Sequence, residues 1–198
     1  MLDTHGRKLI EPLTQAVARA LYRLRLTANG VSVLAMIIGV CAAMLLLIGW
    51  KWCAIGALWV SGLLDAVDGD LARMTRSSQF GAIIDITCDR IVEVAVIVAL
   101  AWRYADARFA LVMLAGAIAV AMSLFLSIAA ALPNHSVKSF HYAPGLGERT
   151  EAFILLSLMI AAPDHLQAWT WLFIGVIIYT MAQRLAHAAR ALRTDRSP

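Results

Sequence analysis

The chain has 198 residues, 61% of them hydrophobic and 15% charged, with a formal net charge of +4. Soluble domains usually carry about 45–50% apolar and about 25% charged residues, so an ordinary soluble fold is excluded and an integral membrane protein is expected. The basic residues are scattered over segment ends with no aromatic-basic platform, which argues against nucleic acid as a partner and for the surface of a lipid bilayer.

The segment from Met1 to Asn29 is charged throughout and lacks the continuous apolar core of a cleavable signal. Leu9, Ile10, Leu13, Val17, Leu21 and Leu24 recur near helical spacing, and Arg7, Lys8, Arg19, Arg23 and Arg25 supply charge. That pattern predicts an amphipathic helix in the headgroup plane. Spans of about 20 apolar residues cross a bilayer, and six candidates follow. They run from about Val31 to Leu47, Trp52 to Met74, Phe80 to Trp102, Phe109 to Leu132, Thr150 to Ala162 and Leu166 to Ala186. The fifth is short and reaches full length only if Leu146 to Glu151 joins it; the sixth continues as a basic helix. Gly49 with Lys51, Ser77 with Ser78, Asp106, Pro133-Asn134 and Pro163-Asp164 mark the turns between them.

The expected fold is therefore all-α: one membrane domain over residues 1–198, with a juxtamembrane segment (1–29) preceding a six-helix bundle (30–198). Lysines and arginines orient it. With the amino terminus in the cytoplasm, only Lys51, Arg103 and Arg108 fall outside, and an even number of spans returns the arginine-bearing carboxyl terminus to the cytoplasm. Trp50, Trp52, Trp102, Trp169 and Trp171 then anchor the outer boundary. Cys41, Cys53 and Cys88 have neither a pair spacing nor a ligand quartet, so disulfides are not expected.

Five aspartates lie between Asp65 and Asp89, in helices otherwise apolar enough for a bilayer. A carboxylate at the centre of a membrane helix costs about 2.5–3.5 kcal/mol on insertion scales, so such a group points to chemistry or transport. Asp65, Asp68, Gly69 and Ala72 share one face of the second span, and Gly81, Asp85 and Asp89 repeat the offset of four on the third. A polar turn, Arg73 to Phe80, makes these spans antiparallel neighbours whose acidic faces meet at the cytoplasmic mouth. Four converging carboxylates call for a cation, and oxygen ligands without histidine favour Mg²⁺ or Mn²⁺. Two such ions suit phosphoryl or phosphodiester transfer. Small Gly69 and Ala72 admit a base or a phosphate to the helix backbone, and Arg73 offers a fork for phosphate.

The run Asp65-x-x-Asp68-Gly69-x-x-Ala72-Arg73, then Gly81-x-x-x-Asp85-x-x-x-Asp89, resembles the signature of the CDP-alcohol phosphatidyltransferases at every fixed position. Leu26-Thr27-Ala28-Asn29 is similar to the Thr-x-Asn motif that precedes that family's first span. The resemblance implies a homodimeric enzyme of the bacterial-type inner membrane that uses divalent metal. It would move a phosphatidyl group from CDP-diacylglycerol to an acceptor hydroxyl with release of CMP. It implies Asp65, Asp68, Asp85 and Asp89 as metal ligands, and Asp89 also as general base. Asn29, Gly69, Ala72, Arg73, Ser78 and Gly81 would line the CDP site. Asp70 stands outside the signature, on another helix face.

The acceptor is less sharply marked. Lys138, Arg149 and Arg184 are the cationic candidates, and Gly147 to Glu151, Gln183-Arg184-Leu185 and Asp85 to Arg90 resemble the branch that uses inositol phosphate. Against that branch, Ser127 to Leu132 carries none of its basic residues, which leaves a less anionic alcohol open. The bland readings are a membrane-flanking Arg184, a solvated Lys138 and surface histidines at His135 and His141. From another functional class, an acidic cation or proton transporter is the alternative; it predicts acids distributed between two repeats, whereas these sit in one hairpin.

Overall fold

The computed structural model describes residues 2–75, 78–131 and 149–194, with the side chains of residues 2–10, 149, 193 and 194 outside that description. Among the described residues are seven α-helices and no strand: α1 (Leu2–Arg23), α2 (Ala28–Leu47), α3 (Lys51–Met74), α4 (Gln79–Arg103), α5 (Arg108–Ala131), α6 (Arg149–Ala161) and α7 (Leu166–Thr194). Two 3-10 turns, Ala105–Ala107 and Pro163–His165, lead into α5 and α7.

Local chemistry sets these boundaries. Thr27 caps α2, its hydroxyl accepting from the Gly30 N–H at 3.2 Å, and so the helix begins at Ala28 rather than Val31. Ser78 caps α4 in the same way, accepting from the Gly81 N–H at 2.9 Å. Between α2 and α3 the chain reverses at Gly49, whose φ of +94° glycine adopts without a Cβ clash. The Arg103 guanidinium ties that corner by donating to the Leu47 carbonyl at 3.0 Å.

α2 is packed against both α3 and α4, which are not themselves closely packed. The wedge works because α2 is lined with small residues: Ala35, Gly39, Ala42 and Ala43. Ser61 on α3 donates to the Ala35 carbonyl at 2.7 Å, and a Cβ at Gly39 would overlap both methyl groups of Val92 on α4. Gly39→Val is therefore expected to destabilise the fold by about 1–3 kcal/mol through overpacking. A lowered thermal midpoint in detergent would register it; an unchanged midpoint would show that α4 yields freely at this point.

The other half forms as α6 closes over α3. Trp59 donates to the Ser157 hydroxyl at 3.0 Å and meets Phe153 edge-on at 6.3 Å, while Lys51 donates to the Ala161 carbonyl at 3.2 Å. α5 packs on α7, and Leu100, Leu111, Leu114, Leu156, Met159 and Ile160 fill the space between the layers. This is an all-α integral membrane bundle. By length and apolarity alone, residues Ala28–Leu47, Ala105–Ala131 and Pro163–Leu192 suffice to cross a bilayer, with Thr150–Ala161 a shorter apolar helix. α3 and α4 are 24 and 25 residues long and carry the acids.

Two elements add packing to what periodicity states. On α1, Ala18, with Val17 and Leu21, packs on Val31, Val67 and Leu71, whereas Leu13 and Leu24 are exposed. Trp169 is partly buried against the core, whereas Trp50, Trp52, Trp102 and Trp171 are exposed.

Candidate active site

Asp65 and Asp68 project from α3 and Asp85 from α4, and each offers a carboxylate oxygen within 4.8 Å of the others. Asp68 is buried and the other two half-buried. Among the described residues, Asp68 Oδ2 and Asp85 Oδ1 are buried without a hydrogen-bond partner. A bare buried acceptor costs about 1–3 kcal/mol, more when charged, and three like charges this close also repel. A divalent cation supplies both the missing coordination and the missing charge, so the donor set fits a hard ion such as Mg²⁺ or Mn²⁺.

Three spaces lie at or beside the acids, the first sharing wall residues with each of the others. The first, about 160 Å³, lies at the amino-terminal end of α2 and is lined by Asn29, Ser32, Asp68, Gly69, Ala72, Ser78, Gly81 and Asp85 among others. Five of the six expected CDP-binding residues are therefore together. A Cβ on Gly69 would meet only Arg73, at 3.7 Å, so that helix face is open to a ligand. Gly81 has the opposite reason for being glycine: a Cβ there would press on Asn29 Oδ1 at 3.0 Å and Ser78 Oγ at 3.1 Å. The sixth residue, Arg73, is half-exposed and paired with Asp70, outside the lining.

The second space, about 630 Å³, shares Ala28, Asn29 and Ser78 with the first and extends to Tyr22, Arg23, Arg25 and Thr75. The third, about 260 Å³, lies on the other side of α4 among α5, α6 and α7. Asp85, Asp89, Arg90, Glu93, Phe125, Thr180 and Arg184 are on its wall. Asp85 thus faces both the first and the third space. Asp89 is not one of the three acids whose oxygens lie within 4.8 Å of one another, and it lines the third space together with Asp85. Arg184 lies over the Phe125 ring at 4.9 Å. Lys138 lies outside the described residues, and so does the side chain of Arg149.

Two acids carry structure that the signature does not mention. Asp70 is buried and holds Arg73. Glu93 is 3% exposed and grips Arg90 with both oxygens, at 2.6 and 2.7 Å. Both were findable, since a carboxylate inside a membrane helix asks for a partner, and each has an arginine three residues away. Ser32, buried in the lining of the first space, had no such signal.

The CDP-alcohol phosphatidyltransferase family model matches residues 25–183. The inner membrane protein YnjF of Escherichia coli is 32% identical over 169 residues, spanning 80% of this chain and 81% of that protein. Phosphatidylinositol phosphate synthase of Corynebacterium glutamicum is 32% identical over 205 residues, spanning 96% and 90%. The crystal structure of the Mycobacterium tuberculosis phosphatidylinositol phosphate synthase with CDP-DAG bound superposes with a TM-score of 0.75 at 26% identity, covering 89% of this chain and 94% of that one. The same enzyme in complex with manganese and citrate gives 0.74 at 27% identity, covering 88% of each.

Proposed function

The chain belongs to the CDP-alcohol phosphatidyltransferase family, and from that membership we propose how its residues divide the reaction. The protein is a metal-dependent transferase of phospholipid synthesis that moves a phosphatidyl group from CDP-diacylglycerol to an alcohol and releases CMP. With that assignment the transporter alternative falls away.

One observation carries the division of labour: Asp85 belongs to the carboxylate group and borders both the donor-side and the acceptor-side space. Asp65, Asp68 and Asp85 would hold the metal, which when bound polarises the diphosphate and steadies the leaving oxygen. Asn29, Ser78 and the open face at Gly69 and Ala72 receive the nucleotide side of the donor. Asp89, on the acceptor side, takes the proton from the acceptor hydroxyl. The freed oxygen attacks the phosphorus that bears the lipid, a new P–O bond forms there, and the bond to the CMP oxygen breaks.

The acceptor enters the space beside Arg184, and we assign it to the phosphorylated polyols, with inositol phosphate first to test. The names of the Corynebacterium and Mycobacterium relatives support this, as does a guanidinium facing the cavity. A second reading, an uncharged alcohol, is favoured by the cation-free end of α5 from Ser127 to Ala131. A CMP-release assay with inositol phosphate, glycerol phosphate, inositol, glycerol and serine separates the two. Under the first reading, Arg184→Gln raises KM for the phosphorylated acceptor about tenfold or more and leaves KM for the donor unchanged. Equal rates with the uncharged alcohols would select the second.

The remaining layout is proposed with it: six spans, both termini and the acids on the cytoplasmic face, and two copies per functional unit. Cysteine labelling from either side of sealed vesicles and mass measurement in detergent test these points.

A further inference from the structure

The turn from α1 into α2 ends the first helix on a left-handed residue that is not glycine. Arg25 has φ +59°, the one positive value outside glycine among the described residues. The turn is closed by the Arg25 N–H to the Tyr22 carbonyl at 3.0 Å and the Leu26 N–H to the Leu21 carbonyl at 3.1 Å. These two bonds are the usual left-handed cap of a helix end, a place that glycine fills freely and a side chain fills at some cost.

The Arg25 side chain lines the 630 Å³ space, with Tyr22, Arg23 and Thr75 also on its walls. That space shares Ala28, Asn29 and Ser78 with the donor groove. The groove itself is about 160 Å³, below the roughly 300–1,000 Å³ that ligand pockets usually measure. Under the donor assignment above, a diphosphate beside the acids would occupy the groove, and the neighbouring space offers room for the nucleoside. Cytosine is flat, with a carbonyl oxygen and a ring nitrogen as acceptors on one edge. A guanidinium fork matches such an edge and also stacks on planar rings.

We propose that Arg25 is a donor-binding residue that holds the base of the nucleotide in this space; the inference rests on the donor assignment above. The rival occupant is the phosphate of an anionic lipid headgroup, because two arginines, Arg23 and Arg25, line the cleft. Arg25→Gly separates the side chain from the turn, since glycine keeps the backbone conformation without strain. Titration calorimetry of the purified full-length protein with CMP in the presence of Mn²⁺, alongside steady-state kinetics with CDP-diacylglycerol, provides the test. The expected result is a Kd for CMP and a KM for the donor both raised about tenfold, kcat within about twofold, and a reduced preference for CMP over UMP. The thermal midpoint should not fall. Unchanged CMP affinity in Arg25→Gly overturns the proposal. So does a defect seen only in vesicles containing anionic phospholipid, which would assign the cleft to a headgroup. Absence of CMP release by the wild-type protein with every alcohol would instead strike the donor assignment, so the two failures are distinguishable.

Discussion

Asp85→Asn is expected to lower CMP release by about 10³-fold or more while leaving the protein folded. Asparagine matches aspartate in size, and half of the wild-type carboxylate already lacks a partner: Asp85 Oδ1 is buried and unbonded among the described residues. Removing one of three crowded negative charges relieves repulsion in the metal-free protein, so its thermal midpoint should hold or rise. What disappears is the response to metal. A ligand at a hundred times its Kd stabilises a native state by about 2.7 kcal/mol, and the wild-type midpoint should climb accordingly as Mn²⁺ is added. The variant should show little of that climb. Thermal unfolding with and without Mn²⁺, beside the CMP assay, measures both effects; a variant that keeps the Mn²⁺ shift and its turnover would remove Asp85 from the metal site.

The site was legible in the sequence to the extent that it is built from helical periodicity. Asp65 and Asp68 on one helix and Asp85 on the next have to converge once a turn joins the helices, and the spacing states this directly. The extents of α3 and α4, Lys51–Met74 and Gln79–Arg103, follow from the same pattern, with Ser78 as a recognisable cap. Periodicity is silent about what lies between two helices. The acidic faces of α3 and α4 do meet, and what spacing leaves unstated is that α2 is the element packed on both, admitted by Gly39 and its small neighbours. Nor did spacing separate Asp89 from the other three rhythmic acids. One turn along α4 places Asp89 on the wall of the third space, which Asp85 also borders and which residues of α5 and α7 complete, and off the wall of the first. The partner of Arg73 is another case: the motif does not state that a local carboxylate, Asp70, pairs with its guanidinium.

Asp89→Asn distinguishes the proposed base from the proposed metal ligands, and its expected signature differs from that of Asp85. A positioned general base contributes about 10²–10⁴-fold, so kcat should fall by that factor. CMP binding and the Mn²⁺-dependent rise in thermal midpoint should both survive, because Asp89 stands outside the three-carboxylate group and off the donor groove. The amide keeps the shape of the side chain and its place on the cavity wall opposite Arg184, so the acceptor should still enter. Only the removal of its proton is lost. If the variant also lost the Mn²⁺ response, Asp89 would be a fourth ligand drawn in by the ion, and the proton would need another acceptor. If it retained full turnover, neither role would stand. The paired measurements on Asp85→Asn and Asp89→Asn therefore tell apart two carboxylates that share the same helical rhythm, one bordering both cavities and one on the wall of the cavity proposed for the alcohol.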